Sequence, residues 1–411
     1  MSGTFRSLRH HNYRVWAAGA IVSNVGTWMQ RTAQDWLVLA ELTNHKASAV
    51  GIVIGLQFAP QLLLLPFTGY AADNFDRRKL LLVTQVAMGL LALGLGLLVV
   101  TGAVRLWIVD VFAFLLGCAA AFDAPARQTF VSELVHEEDL GNAVALNSTS
   151  FNAGRLIGPA VAGILIAAVG SGPVFLINAA SYVAVIGSLM LIRRTEIRAT
   201  DRGSGARGGI ADGWRYVIGR PDLVASMVIM FLIGTFGFNF AIYISTMSLK
   251  IFHRGADGYG FLTSVMAVGS IIGALLSAGR DRPQWNFVML GLGVFGVGCG
   301  LAAISNNYLL YGLILAIVGI ASQTVTTSIV GLVQLGSDPL MRGRVMALLM
   351  AISLGGTPLG SPIVGWIADH FGPRWAMGVG ASAGIGALIV GLLYLRTAAR
   401  TRAVESLEAL R

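Results

Sequence analysis

Between Arg194 and Gly209 the sequence reads Arg194-Thr195-Glu196-Ile197-Arg198-Ala199-Thr200-Asp201-Arg202-Gly203-Ser204-Gly205-Ala206-Arg207-Gly208-Gly209, and it stays polar as far as Arg220. Arginine interleaved with glycine and serine is the composition of a flexible, solvated linker. What flanks it is of another kind. Of the 411 residues, 55% are hydrophobic, 12% are charged and 52 are glycine, and the mean hydropathy is +0.73. An average soluble protein carries about 25% charged residues. These figures exclude a soluble globular enzyme and a disordered chain. The net charge of +9 and pI near 10.0 invite a nucleic-acid reading. Such binders gather their basic residues on a solvated face, and this chain has little solvated face. The expected partner is the lipid bilayer, and the fold class is an all-α membrane protein.

A membrane-crossing helix needs about 20 apolar residues. Twelve stretches qualify: 13–40, 48–71, 80–101, 105–127, 142–169, 173–193, 222–249, 259–279, 286–304, 307–335, 345–369 and 374–396. The linker divides them six and six. The expected organisation is an N-terminal six-helix bundle (1–193), the Arg/Gly-rich linker (194–220), a C-terminal six-helix bundle (221–396) and a tail (397–411).

Lys and Arg concentrate on the cytoplasmic side of membrane proteins. With the N-terminus inside, that side collects Arg6, Arg9, Arg14, Arg77, Arg78, Lys79, Arg127, the seven arginines from Arg193 to Arg220, Arg280, Arg282, Arg342, Arg344, Arg396, Arg400, Arg402 and Arg411, 22 in all. The opposite side receives five: Lys46, Arg105, Lys250, Arg254 and Arg374. Both termini are therefore expected in the cytoplasm. No cleavable signal is expected, because the first apolar stretch is too long and no small-residue cleavage site follows it. Cys118 and Cys299 fall within spans and read as packing residues. The six histidines lie in loops or at span ends, and no metal site is expected.

The two halves repeat. Gly141-Asn142-Ala143-Val144-Ala145-Leu146, followed by Gly158 and Gly163, aligns with Gly343-Arg344-Val345-Met346-Ala347-Leu348, Gly360 and Gly365. One offset of 202 residues relates every matched position. Duplicated halves place a transporter's substrate site at the midplane between them.

The loop after the second span reads Gly69-Tyr70-Ala71-Ala72-Asp73-Asn74-Phe75-Asp76-Arg77-Arg78-Lys79. It resembles the signature loop of the major facilitator superfamily, Gly-x-x-x-Asp-x-x-x-Arg-Arg/Lys. Asn74 and Asp76 depart from it, standing where arginine and glycine are common. The resemblance implies the major facilitator fold with two pseudo-symmetric bundles. It also implies a conformational lock of Gly69, Asp73, Arg77 and Arg78, with Asp123 at the cytoplasmic end of span four as the partner carboxylate. Span five carries Gly154, Gly158, Pro159 and Gly163, similar to the Gly-Pro motif of drug:proton antiporters, with Ala145 replacing the motif's earlier glycine. Small residues there allow close helix approach, and Pro159 is expected to bend the helix. The stretches Asn24–Val38 and Ala121–Arg155 and the sequence Arg342-Gly343-Arg344-Val345-Met346 resemble the branch that includes enterobactin exporters and macrolide-efflux proteins. The resemblance covers nearly the whole chain and speaks to fold and broad class more than to cargo.

Ionisable residues inside spans are costly and usually face a cavity or one another. Arg31 and Asp35 lie four residues apart, on one face of the first span, with Asn24, Thr27 and Gln34 on or beside it. Burial and the neighbouring guanidinium pull Asp35's protonation in opposite directions, which suits a proton-coupling acid. Arg31 is its expected partner. Asp110 either shares the proton or lies near the outer surface and pairs with Arg105. Arg155 has three candidate contacts: Asp35, Asp110 or an anionic substrate. The substrate cavity is expected to draw on Asn24, Trp28, Gln34, Gln57, Gln61 and Arg155 from the first half, with Trp36 and Phe58 as further aromatic contacts. From the second half it would draw on Asn239, Tyr243, Gln323, Thr324 and Thr327.

Two enzyme-like patterns carry no chemistry. Gly291–Gly296 fits a dinucleotide fingerprint and Gly380–Gly384 a nucleophile elbow, but both lie in spans without a preceding strand. The sequon at Asn147 falls on the cytoplasmic side. The sequence therefore points to proton-driven export of small amphipathic molecules, such as drugs or siderophores, by a monomeric multi-pass protein of a bacterial inner membrane. A facilitator or proton-coupled importer is the alternative within the transporter class. A membrane-embedded enzyme would need a nucleophile or metal constellation that the spans do not offer. The proton gradient serves as energy source, and no cofactor is required.

Overall fold

The computed structural model describes residues 3–197, 210–280 and 282–408, with the side chains of 3–4, 66, 69, 72–73, 210 and 401–408 outside the description. The described residues are helical throughout, without a strand. The first half comprises α1 (His11–Trp36), α2 (Ala47–Leu63), α3 (Leu65–Asn74), α4 (Arg77–Val100), α5 (Leu106–Glu133), α6 (Glu137–Val169) and α7 (Ser171–Leu191). The second comprises α8 (Ile210–Ile218), α9 (Pro221–Leu232), α10 (Phe240–Thr246), α11 (Ala256–Ala278), α12 (Trp285–Ile304), α13 (Tyr308–Gly336), α14 (Arg342–Gly355), α15 (Thr357–His370) and α16 (Pro373–Glu408).

Among the described residues, ten helical segments are long and apolar enough to cross a membrane, with 221–251 and 342–370 each counted as one. The first two expected spans are helical but fall short of that measure. α1, extended by a π-turn over Leu37–Leu42, carries Asn12, Asn24, Gln30, Arg31, Gln34 and Asp35 and is too polar. The second is divided at Leu64 into a 17-residue and a 10-residue helix. Pro60 lies inside α2 and Pro66 opens α3. Proline supplies no N–H and disfavours helical backbone in the residue before it.

The expected linker is partly folded. Residues 198–209 lie outside the described residues, but Ile210–Ile218 forms α8. Val217 of α8 is buried, and Gly213 passes close to Arg344 of α14. α8 meets α14 through Gly213, which lets the Arg344 and Leu348 side chains come close, while Trp214 and Ile218 stay exposed.

One end of the molecule gathers the N-terminus, the start of the linker and the end of α16; we term it the terminal end, and the other the distal end. At the terminal end, Asn12 exchanges two hydrogen bonds with the backbone of Arg193 (3.0 and 2.9 Å). Asp139 binds Arg6, Arg9 and His10 (3.0, 2.9 and 2.7 Å) and so ties the leading 3-10 turn to α6.

The 202-residue repeat is a structural fact, and it reaches further than the expected matches. Gly158 lies against α1, where a Cβ would stand 2.6 Å from that of Trp28; Gly360 lies against the Thr235 carbonyl oxygen so closely that a Cβ would overlap it. Gly154 and Gly356 repeat the pattern against Asn24 and Thr235. Gly163 abuts the start of α11 and Gly365 the start of α2, with a Cβ 2.6 Å from the Ala256 oxygen and 2.5 Å from the Ala47 oxygen respectively. Gly170 and Gly372 form the tight α6–α7 and α15–α16 turns with φ of 82° and 98°, a region that L side chains rarely enter. α6 runs through Pro159 as one 33-residue helix, whereas its counterpart breaks into α14 and α15 at Gly356.

The two halves meet along α2 with α15 and α6 with α11. The Asp369 carboxylate accepts the N–H groups of Ala47 and Ser48 (2.7 and 2.9 Å), capping α2 from the other half, with the Lys250 ammonium 3.6 Å away.

Candidate functional site

A cavity of about 390 Å3 lies between the halves. α1 supplies Trp28, Arg31, Thr32 and Asp35; α2 supplies Ile54, Gln57 and Phe58; α6 supplies Arg155 and Pro159. The second half supplies Phe238, Asn239, Phe240, Tyr259, Gln323 and Ser361 among others. Arg31, Asp35 and Arg155 are the charged residues in this lining, and all belong to the first half.

Asp35 is buried, and its carboxylate accepts the O–H of Tyr259 from α11 at 2.9 Å. Trp36 stacks on the same tyrosine with ring centroids 6.4 Å apart. The partner of Asp35 is thus a tyrosine of the other half. No ion pair between Arg31 and Asp35 is present among the described residues. Helical spacing put them on one face, but the Arg31 guanidinium lies over the rings of Trp28 (5.0 Å) and Phe58 (5.9 Å) instead. Its Nε is buried without a hydrogen-bond partner. Arg155 lies over Trp28 as well, at 5.8 Å. Two guanidinium groups therefore share one indole.

On the opposite wall, the seventh apolar stretch is interrupted. A π-turn over Ile233–Gly237 gives way to non-helical backbone at Phe238 and Asn239 before α10 begins. Asn239 donates to the Thr235 carbonyl (2.8 Å) and accepts from the Ser361 hydroxyl (2.7 Å), so the freed backbone at the break is satisfied from within the protein, as a membrane interior demands. The break turns Phe238 and Phe240 into the cavity, where their rings lie 6.3 Å apart and each meets Phe295 at 6.1 Å.

Of the expected cavity residues, Trp28, Gln57, Arg155, Asn239 and Gln323 line it together with Arg31 and Asp35. The others do not. Asn24 donates to Ser150 between α1 and α6 (3.0 Å). Gln34 is buried away from the cavity, and Gln61 lies beyond its edge. Tyr243 is fully buried and donates to the Phe236 carbonyl. Thr327 bonds back to Gln323 (2.8 Å), and the neighbouring Thr326 takes the lining position. Asp110 stands outside the cavity, is not paired with Arg105, and its buried Oδ1 has no partner among the described residues. Tyr259, Phe238 and Phe240 were missed. Nothing in the sequence marks Tyr259 as facing Asp35, although the flanking Gly237 and Asn239 are a readable sign of broken helix.

The expected lock residues are described in part. The side chains of Gly69 and Asp73 lie outside the described residues. Arg77 pairs with Glu133 at the end of α5 (2.6 Å). Arg78 donates to the Leu189 carbonyl (2.7 Å) and so anchors α4 to α7. Asp123 is held by Thr84 (2.8 Å), Gln85 (2.7 Å) and Arg127 (3.1 Å). Glu133 lies ten residues beyond Asp123, about 15 Å along the helix, because α5 continues past the apolar stretch.

A cavity at the seam of two repeated helical bundles, with charge at membrane depth, defines a secondary transporter. The family model described as "Transmembrane secretion effector" matches residues 2–410, and the chain belongs to this family of major facilitator transporters. The resemblance drawn from the signature loop is thereby confirmed. The chain is 27% identical over 354 residues to the staphyloferrin A transporter of Staphylococcus aureus, covering 85% of this chain and 87% of the relative. It is 25% identical to the multidrug efflux pump Tap of Mycolicibacterium fortuitum, covering 86% and 88%. In fold it matches a bacterial homolog of the human lysosomal transporter Spinster in an inward-facing, occupied conformation, with TM-score 0.76, 15% identity and coverage of 94% and 97%. The protein is a multi-pass transporter of the bacterial inner membrane and not an enzyme.

Proposed function

We propose that this protein exports small amphipathic molecules, siderophores or drugs, in exchange for protons by alternating access. In this reading the 1–193 and 221–396 bundles each cross the membrane six times, and the terminal end, rich in arginine, faces the cytoplasm. The linker and the tail would lie on that side, and the protein would work as a monomer driven by the proton gradient. The observation that carries the reading is the Asp35–Tyr259 hydrogen bond inside the cavity.

That bond joins the two halves. A carboxylate accepts a stronger hydrogen bond than a neutral acid, so a proton taken up by Asp35 loosens the distal seam. A proton arriving from outside would in this way be tied to opening of the distal end. At the cytoplasmic end, Asp73, Arg77 and Arg78 would form the lock of the opposite state, with Glu133 as the engaged carboxylate here and Asp123 deeper in the bundle. Gly154, Gly158, Pro159 and Gly163 keep α6 close to α1 and α11 while the halves rock. The named substrates of the relatives support siderophores and drugs as cargo.

The test is proton flux in proteoliposomes during transport of a dye or siderophore. Asp35→Asn is expected to lose substrate-driven proton movement while still binding cargo. Wild-type coupling in that variant would sink the assignment. Transport that proceeds equally without a proton gradient would favour a facilitator.

A further inference from the structure

We propose that the cavity selects organic anions with an aromatic body, the acidic group seated between Arg31 and Arg155 and the rings against Phe238 and Phe240. This rests on the export reading and names its substrate class.

The argument begins with charge. Arg31 and Arg155 stand against a single carboxylate, Asp35, and that carboxylate is engaged by Tyr259. Neither guanidinium has a hydrogen bond or ion pair among the described residues, and the Nε of Arg31 is buried without a partner. Cations at membrane depth are costly and almost always paired or facing water. An anion entering the cavity would give both guanidinium groups a charged partner. Guanidinium is also suited to it, since its planar fork meets a carboxylate or phenolate oxygen pair with two parallel bonds.

Trp28 fixes the geometry. Both guanidinium groups lie over its indole at 5.0 and 5.8 Å, so cation–π attraction holds two like charges near each other. A ring that brings cations together without neutralising them leaves their donors available. Asp35, held by the neutral Tyr259 hydroxyl, can balance one of the two guanidinium charges, and the other is left over.

The facing wall recognises the rest of the molecule. Phe238 and Phe240 are brought to the lining by the break at Asn239 and are supported from behind by Phe295. The second half contributes no charged residue to the lining. One wall is cationic and the other aromatic, which is the complement of an amphipathic aromatic anion and a poor fit for a lipophilic cation.

The test uses two dyes on one ring system, fluorescein as the anion and a rhodamine methyl ester as the cation. Binding to the purified full-length protein is followed by fluorescence anisotropy near neutral pH without any gradient. Fluorescein is expected to bind more tightly than the rhodamine. Arg155→Gln is expected to weaken fluorescein by about tenfold or more, the worth of a charged hydrogen bond. Arg155→Lys, which keeps charge but not the fork, should fall between, and it is the variant to read if Arg155→Gln fails to fold. Phe238→Ala should weaken both dyes and leave their ratio unchanged. Equal or tighter rhodamine binding, an unaltered fluorescein affinity in both Arg155 variants, or no binding of fluorescein would each overturn the proposal. Failure of the export reading shows differently: arginine-dependent fluorescein binding without proton-driven flux leaves the anion site standing, and proton-driven flux of the rhodamine alone leaves export standing without it.

Discussion

α6 and the α14–α15 pair occupy equivalent places in the two halves, and they divide the work differently. Gly154, Gly158, Gly163 and Gly170 have counterparts 202 residues on, and each pair performs the same backbone task. The residues between them do not match in chemistry. Arg155 and Thr357 are equivalent and both line the cavity, as do Pro159 and Ser361. The repeat therefore fixes where a side chain stands, and substitution within it decides what the cavity recognises. The first half has become the charged wall and the second the aromatic and amide wall. Small residues are retained where backbones touch, since any side chain there pushes helices apart.

Unequal tightness at equivalent glycines is the sharpest way to break this comparison. Gly360→Ala places a Cβ on the backbone oxygen of Thr235, which cannot step aside. It is expected to destabilise the protein by about 3 kcal/mol, the upper range of overpacking, read as a lower melting temperature in detergent. Gly158→Ala meets the Trp28 Cβ at 2.6 Å and the Met29 nitrogen and Val25 oxygen at 3.0 Å, a less severe clash than at Gly360, and should cost about 2 kcal/mol. Equal losses would show that the two seams are packed alike after all.

The bond that crosses between the halves comes next. Tyr259→Phe removes the hydroxyl on Asp35 and keeps the ring that stacks on Trp36. Transport is expected to slow by about tenfold, matching one hydrogen bond to a charged group, while the protein folds normally. A transport rate unchanged from wild type would remove Tyr259 from the coupling scheme.

The two tight turns should respond identically. A Cβ at Gly170 or at Gly372 meets open space, so only the positive φ matters. Each Gly→Ala change should cost about 1–2 kcal/mol. A large difference in melting temperature between them would mean that the turns are not equivalent.

The smallest effect is expected at the distal cap. Asp369→Ala leaves the first N–H groups of α2 without their acceptor, and losing such a cap costs about 1 kcal/mol. Because the cap joins the halves, the variant should also expose the distal side of the cavity more readily. Cysteine accessibility at a distal position such as Ser48→Cys, compared with and without Asp369→Ala, would show it.

The sequence alone determined the membrane class and the repeat. Each depends on composition or on spacing along one chain, which burial in lipid makes strict. It also singled out Arg31, Asp35 and Arg155 as charges within spans, and all three line the cavity. Tertiary structure alone decided their partners. Helical spacing offered Arg31 to Asp35, but Tyr259, 224 residues further along, took the carboxylate, and Trp28 took both arginines. It likewise decided that Asp110 stands outside the cavity and that Arg77 meets Glu133. A periodic pattern says which face of a helix a residue occupies. Which residue of another helix faces it depends on how the bundles cross, and no local pattern encodes that.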